Sequence, residues 1–463
     1  MSDPTRPTFH FTADGWLNDV IPFRDPRTGA YHLMADFNPV GTDWTPHSTW
    51  VHAVTRDFVR WRRLPDALTP TPGACDAHGC WTGCVTEHGG AYYAHYTAIS
   101  HWPPAGFAAP FAQHQAVATS RDLLAWEKPA IAAPAIAGPP PGFGHCFRDP
   151  CVWREGERWR MIVGSQLPGD AGGAALLYES DDLLQWRYLH PLATGRTAET
   201  GYDFECPDFF PLGDRHVLIT SRGPNRWQSG TYRDDRFAMQ HYGITDGGVA
   251  NGESTFYAAK TVPDDRGRRL LIGWVRDARP AEVRKASGWA GTWSIPRVLS
   301  MRADGSLGYE PLETLAAMRR QHWRFEDVRL DPQGGTSLHL LDGVAADAFE
   351  LDVRFGPAPD AETLGVVVRA GDEGDEGHEG TSVTYDVAAR SLGIMPLVLG
   401  DGEGLRLRVF VDRSIVEAFA NGRACWTGMA RPHEATGLRV GLRASGRAPV
   451  VATSVDVWSL SSA

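Results

Sequence analysis

The chain has 463 residues, more than one hydrophobic core usually supports, so two domains are expected. Its net charge of -11 comes without any basic run, which excludes nucleic acid and anionic membranes as natural partners and favours a neutral substrate. Seven cysteines spread along the chain do not form the dense framework of a small secreted scaffold, so reduced thiols are expected. The opening stretch Met1-Ser2-Asp3-Pro4-Thr5-Arg6-Pro7 lacks the apolar core of a signal peptide, and no uninterrupted apolar stretch approaches a membrane span, so a cytoplasmic location is expected.

Strand-like runs begin at once. Trp16-Leu17-Asn18-Asp19 is the first of three short carboxylate-bearing stretches. The next acid, in Arg24-Asp25-Pro26, leads into Arg27-Thr28-Gly29, a turn signal that marks Asp25 as a solvated hairpin residue. Trp50-Val51-His52-Ala53-Val54 then precedes a motif, Ser/Thr-x-Asp-x-x-x-Trp, that occurs three times: Thr55, Asp57 and Trp61; Ser120, Asp122 and Trp126; Ser180, Asp182 and Trp186. Each copy follows a strand-like run, and further runs such as Ala91-Tyr92-Tyr93-Ala94-His95-Tyr96 and Arg158-Trp159-Arg160-Met161-Ile162-Val163 lie between copies. Strand, acidic turn and tryptophan form one repeating unit. Repetition at about 60–65 residues predicts propeller blades of four strands with long loops, four or five of them in the first ~315 residues, with a plain all-β sandwich as the competing architecture.

Phe147-Arg148-Asp149-Pro150 and Phe204-Glu205-Cys206-Pro207-Asp208 are the other two carboxylate stretches. Arg-Asp-Pro recurs here, but this copy opens directly into Cys151-Val152-Trp153, which places Asp149 at a strand start. An acid at a strand end is costly to desolvate unless it is paired or performs chemistry. In a propeller the innermost strands line one channel, so Asp19, Asp149 and Glu205 are expected to converge there. Glycoside cleavage with retention needs a carboxylate nucleophile and a proton-donating acid close together, and three acids supply both with one to hold the sugar.

From Leu312 to Gln321 the residues suit a short helix, and residues 316–326 read as a linker. Beyond it, Phe349-Glu350-Leu351-Asp352-Val353-Arg354-Phe355 and Leu405-Arg406-Leu407-Arg408-Val409-Phe410-Val411 alternate at period two, the mark of half-buried antiparallel strands. The expected organisation is all-β: a five-bladed β-propeller over 1–315, the linker, and a C-terminal β-sandwich over 327–463 that covers the propeller's flank or mediates a homodimer.

Taken in order, these motifs resemble those of glycoside hydrolase family 32, the invertases, inulinases and levanases, over nearly the whole chain. Phe9-His10-Phe11 with Gly15-Trp16-Leu17-Asn18-Asp19 is similar to the nucleophile motif, the Arg148-Asp149 stretch to the transition-state motif, and Glu205-Cys206-Pro207-Asp208 to the acid/base motif. Asn38-Pro39, Trp81-Thr82-Gly83, Phe256-Tyr257-Ala258, Gly273-Trp274, Pro296-Arg297 and Val411-Asp412-Arg413-Ser414 with Glu417-Ala418-Phe419 follow in the family's order. The resemblance implies Asp19 as nucleophile, Glu205 as acid and base, and Asp149 as the acid that binds furanose hydroxyls, with Arg148 as a fixed cation beside them. It also implies Asn18, Trp44, Trp81, Thr82 and Trp274 around the sugar. Cys206, beside Glu205, is expected as a packed small residue of that pocket rather than as a nucleophile.

The chain departs from the family near the sugar. Asp19 meets Val20-Ile21-Pro22 where the family has Pro-Asn-Gly, and Asp36-Phe37-Asn38-Pro39 carries Asp36 where many members have Gln. Asp36 would add a fourth carboxylate, and close like charges cannot all stay ionised. The resemblance implies a retaining β-fructofuranosidase acting on sucrose or a short fructooligosaccharide without a cofactor. Fructosyl transfer, including anhydride formation, an arabinofuranosidase activity, and carbohydrate binding without catalysis stay open.

Other features carry less. Cys75, His78, Cys80 and Cys84 crowd together, but not at the spacing of a zinc finger, so no metal is expected. Trp16 and Trp289 are expected in the core. Asp372-Glu373-Gly374-Asp375-Glu376-Gly377-His378-Glu379 reads as a solvated loop, with calcium binding as a weaker alternative.

Overall fold

The repeated Ser/Thr-x-Asp-x-x-x-Trp unit closes the third strand of a blade in the computed structural model, which describes residues 3–109, 111–128, 134–371, 380–430 and 437–461. In each copy the aspartate Oδ1 accepts two main-chain amides of the turn, from Val59 and Arg60, Leu124 and Ala125, and Leu184 and Gln185. The hydroxyl three residues before the left-handed residue accepts that residue's amide, and Phe58, Leu123 and Leu183 take φ of 60°, 65° and 66°. A short polar side chain that satisfies the turn's own amides makes this tight reversal repeatable.

Five antiparallel sheets of four main strands follow in order. Blade 1 comprises Gly15–Arg24, Tyr31–Asn38, Thr49–Thr55 and Arg62–Leu68. Blade 2 comprises Gly79–His88, Ala91–Ile99, Gln113–Ser120 and Trp126–Glu127, and blade 3 Phe147–Glu155, Arg158–Gln166, Gly173–Ser180 and Arg187–Thr194. Blade 4 comprises Glu205–Leu212, Arg215–Ser221, Arg226–Arg233 and Arg236–Ile244, and blade 5 Phe256–Pro263, Arg269–Val275, Arg297–Met301 and Leu307–Pro311. The first strands of successive blades pack on one another in a ring that closes between Phe256–Pro263 and Gly15–Arg24, which makes this a five-bladed propeller.

Two six-stranded sheets form the C-terminal sandwich. One runs in the order Arg319–Leu330, Val450–Leu460, Ala348–Phe355, Leu405–Asp412, Ile415–Ala420 and Ala424–Met429; the other is built on Gly335–Ala345, Arg439–Gly446, Ala361–Ala370 and Thr381–Asp386. Their inner faces supply Leu351, Val353, Leu407, Val409, Val366, Val368 and Leu442 to a common core, as the alternation predicts.

The stretch 316–326 is not a linker. A six-residue 3-10 helix, Glu313–Met318, stands where the short helix was expected, and Arg319–Leu330 is already a sandwich strand paired with Val450–Leu460. The reason is local: Arg319 reaches both oxygens of the buried Glu350 at 2.7 Å, so the edge strand is anchored from its first residue. Asp25 does stand at a hairpin, but it is 2% exposed rather than solvated, because Thr28 Oγ1, Tyr92 OH and the Arg27 amide all donate to it. The acidic run 372–379 lies outside the described residues. No helix among the described residues is long and apolar enough to cross a membrane.

Candidate active site

Every first strand is broken at the same level of the ring. Ladder register slips at Leu17/Val20, Trp81/Gly83, Glu205/Asp208 and Tyr257/Lys260, and opposite Ile162/Gly164 in blade 3, so each inner strand carries a bulge. The bulged residues are Asn18-Asp19, Thr82, Asp149-Pro150, Cys206-Pro207 and Ala258-Ala259. Asp149, Cys206 and Ala258 stand in the left-handed region, with φ of 64°, 46° and 48°. A bulge re-aims a side chain that a regular pleat would send into the blade, and here it turns five successive strands toward the channel.

The acids meet in a cavity of about 450 Å³. Asp19 Oδ2 accepts the Thr82 hydroxyl at 2.9 Å and the Cys206 thiol at 3.2 Å. Asp149 Oδ2 accepts the Cys206 amide at 2.8 Å, while the Asp149 amide donates to Thr97 Oγ1 at 2.8 Å. Glu205 Oε1 is held by Arg148 at 2.6 Å and Arg222 at 2.8 Å, and Tyr257 OH donates to its other oxygen. Asp203, fully buried, bridges the same two guanidinium groups.

Burial raises the Asp19 carboxyl above the usual carboxylate range and the Glu205 charge adds to this, against the Cys206 and Thr82 hydrogen bonds and the Arg276 charge. Burial likewise pushes Asp149 up to about 7, with Arg148 opposing and Asp19 assisting. Asp36 is raised well above its ordinary value by burial and by Asp19 and Asp149. Among the described residues, three buried polar atoms of cavity-lining side chains have no partner: Asp36 Oδ1, Trp16 Nε1 and Trp274 Nε1.

Asn18, Asp19, Asp36, Trp44, Trp81, Thr82, Arg148, Asp149, Glu205 and Trp274, all singled out from the sequence, line this cavity. Cys206 does not. Its side chain is 1% exposed and sits behind the acids, donating to Asp19 rather than facing a ligand, because the left-handed turn at Cys206 sends its amide and thiol toward the carboxylates.

Trp16, Phe107, Tyr257, Glu253, Arg276 and Asp277 also line the cavity and were missed. Two signals were available. Tyr257 belongs to the Phe256-Tyr257-Ala258 motif, and Arg276 stands two residues beyond Trp274, where its guanidinium covers the Tyr257 ring at 3.7 Å. Trp16, expected in the core, meets Trp274 edge-on at 5.7 Å, whereas Trp289 is buried under Arg279 as expected of a core indole. Trp44, 40% exposed, joins Trp81, Trp102 and Phe107 in an aromatic wall at the mouth, with ring centroids 5.3–5.9 Å from its own.

The Cys75–Cys84 cluster is dispersed: the Cys80 thiol donates to Asp76, and His78 stacks between His47 and His101. Other motifs meet away from the cavity. His10 lies between Asp412 at 2.8 Å and Glu417 at 3.1 Å, and Arg297 binds Glu417 at 3.1 Å and Asp246 at 2.9 Å, so these residues join propeller to sandwich.

Family models for the glycosyl hydrolases family 32 N-terminal domain and the family 32 C terminal match residues 10–311 and 313–459. A sucrose-6-phosphate hydrolase of Escherichia coli is 32% identical over 436 residues, covering 90% of this chain and 87% of its own. A raffinose invertase of Escherichia coli is 30% identical, with 90% and 87% covered. Among solved structures, fructan 1-exohydrolase IIa from Cichorium intybus superposes with a TM-score of 0.82 at 25% identity, over 100% of this chain and 98% of that one. With its acids converging in the propeller channel and both domains matched, the chain belongs to glycoside hydrolase family 32 and is an enzyme of the β-fructofuranosidase type.

Proposed function

We propose that the chain is a retaining β-fructofuranosidase that hydrolyses sucrose or short fructooligosaccharides in the cytoplasm, with its site in the propeller. The observation that carries this reading is the meeting of Asp19, Asp149 and Glu205 in one cavity. Asp19 attacks the anomeric carbon while Glu205 gives its proton to the leaving oxygen, forming a fructosyl ester on Asp19. Glu205 then takes a proton from water, the water attacks the same carbon, and fructose leaves with Asp19 restored. Asp149 binds the ring hydroxyls as positive charge develops at the anomeric centre, and Arg148, Arg222 and Tyr257 hold Glu205 in place. The cytoplasmic location is supported by seven thiols that form no disulfide.

The lining charge favours an unphosphorylated sugar. The cations among the described lining residues are Arg148 and Arg276, against the carboxylates of Asp19, Asp149, Glu205, Glu253 and Asp277. Both arginines are ion-paired, Arg148 to Glu205 at 2.6 Å and Arg276 to Glu253 at 3.1 Å. A phosphate dianion would meet like charge without a free cation among the described lining residues, so sucrose should exceed sucrose 6-phosphate in kcat/KM by about tenfold or more. The test is incubation with sucrose, sucrose 6-phosphate, kestose, inulin, levan and aryl arabinofuranosides, with all products resolved by chromatography. Free fructose from sucrose and kestose is the expected result. Turnover of arabinofuranosides alone, anhydrides without fructose, or no turnover of any fructoside would overturn the reading, and a preference for the phosphorylated sugar would overturn the charge argument.

A further inference from the structure

The Thr82 hydroxyl has one hydrogen, yet it lies 2.9 Å from Asp19 Oδ2 and 3.2 Å from Asp36 Oδ2. One hydroxyl hydrogen can point along only one of these contacts, so the other is a full hydrogen bond when the acid itself carries the proton. Asp19 Oδ2 already accepts a second donor, the Cys206 thiol, and faces the Arg276 charge, as an ionised carboxylate does. Asp36 is 6% exposed, stands in the wholly buried strand Tyr31–Asn38, and has the Asp19 and Asp149 carboxylates as its charged neighbours. Asp36 draws donors from Thr82 alone, its hydroxyl and its main-chain amide, whereas Asp19 has the Thr82 hydroxyl, the Cys206 thiol and the Arg276 charge. Two acids of one cluster separate in protonation when their surroundings differ in this way. The proton therefore belongs on Asp36.

We propose that Asp36 is a neutral carboxylic acid that donates from Oδ2 to Thr82 Oγ1, so that Thr82 directs its own hydrogen to Asp19. The proposal rests on Asp19 being the attacking carboxylate. A chain of donors running toward one anion strengthens each bond in it, so Asp36 is a positioning residue for Asp19 through Thr82, and a further negative charge is kept out of the cavity.

Other charged groups act on Asp19: Glu205 and Asp149 raise its proton affinity, and Arg276 lowers it. Against that background, Asp36→Ala should lower kcat/KM on the order of 10- to 100-fold and move the acid limb of the kcat/KM profile to higher pH, because Thr82 loses its donor. Asp36→Asn keeps one donor and one acceptor, and should recover the limb and most of the loss. Thr82→Val should move the limb as Asp36→Ala does. Infrared spectra give a readout that needs no substrate: at about pH 8.5, above the Asp149 value of about 7, wild type should show a carboxylic-acid carbonyl band that Asp36→Asn lacks. Superimposable spectra, or an acid limb moved as far by Asn as by Ala, would overturn the proposal. Absence of fructoside turnover with the band present would instead overturn the fructosidase reading alone.

Discussion

Asp19→Asn should lower kcat on sucrose by on the order of 10⁴-fold or more, the scale seen when a covalent nucleophile is removed. The same change should make the unliganded protein more stable. Asp19 is raised above the usual carboxylate range chiefly by burial. The sign follows from linkage: with the folded value above the unfolded one, its contribution is intact at low pH and is lost as pH rises through the folded value. Asn cannot ionise, so the gain in thermal midpoint should be larger at about pH 8 than at about pH 4. The amide keeps a carbonyl oxygen to accept Thr82 or Cys206, so the site should hold its shape. A functional acid kept in a costly environment gives this pairing of lost activity with gained stability. Activity within tenfold of wild type would remove Asp19 from the chemistry.

His10→Ala should destabilise the protein by about 3–5 kcal/mol in the transition that separates propeller from sandwich, the cost of leaving buried charges without their partner. His10 Nδ1 faces Asp412 and Nε2 faces Glu417, and only the imidazolium can donate to both. Asp412 also collects the amides of Thr8, Phe9 and His10, and Glu417 that of Ile295, so removal of the ring leaves two ordered carboxylates facing a gap. Burial alone would push the ring down, but Asp412 and Glu417 outweigh it and hold His10 at about 9. A raised histidine stabilises fully below its unfolded value near 6.5 and loses that contribution as pH climbs to about 9, a change of about 3 kcal/mol. Urea unfolding of wild type and His10→Ala should therefore show a gap that is wide at about pH 6 and narrows by about pH 9.5. A gap independent of pH would show that the ring acts by packing alone.

The propeller was legible because its turns are chemical as well as repetitive: Asp57, Asp122 and Asp182 each close a third strand by the same two amides, and that requirement leaves a spaced signature. Asp19, Asp149 and Glu205 were legible because each sits at a bulge flanked by aromatic strand residues, so local sequence carries the local geometry. What joins distant strands was not legible. His10 and Asp412 stand 402 positions apart, and nothing in either neighbourhood names the other. Asp25 was read as solvated because a turn signal does not report the Tyr92 hydroxyl that blade 2 places over it. Cys206 was expected at the sugar and lies behind the acids because its left-handed backbone, not its residue type, sets its direction. Residues 319–326 were read as linker because polar side chains dominate an edge strand that has one face open to solvent.

The most direct test of the account is sucrose cleavage in the presence of methanol, with the methyl fructoside identified by NMR before it can react further. Attack by Asp19 followed by attack of methanol on the fructosyl ester inverts the anomeric centre twice, so methyl β-fructofuranoside is the predicted product. Methyl α-fructofuranoside would mean a single displacement, and would contradict a covalent intermediate on Asp19.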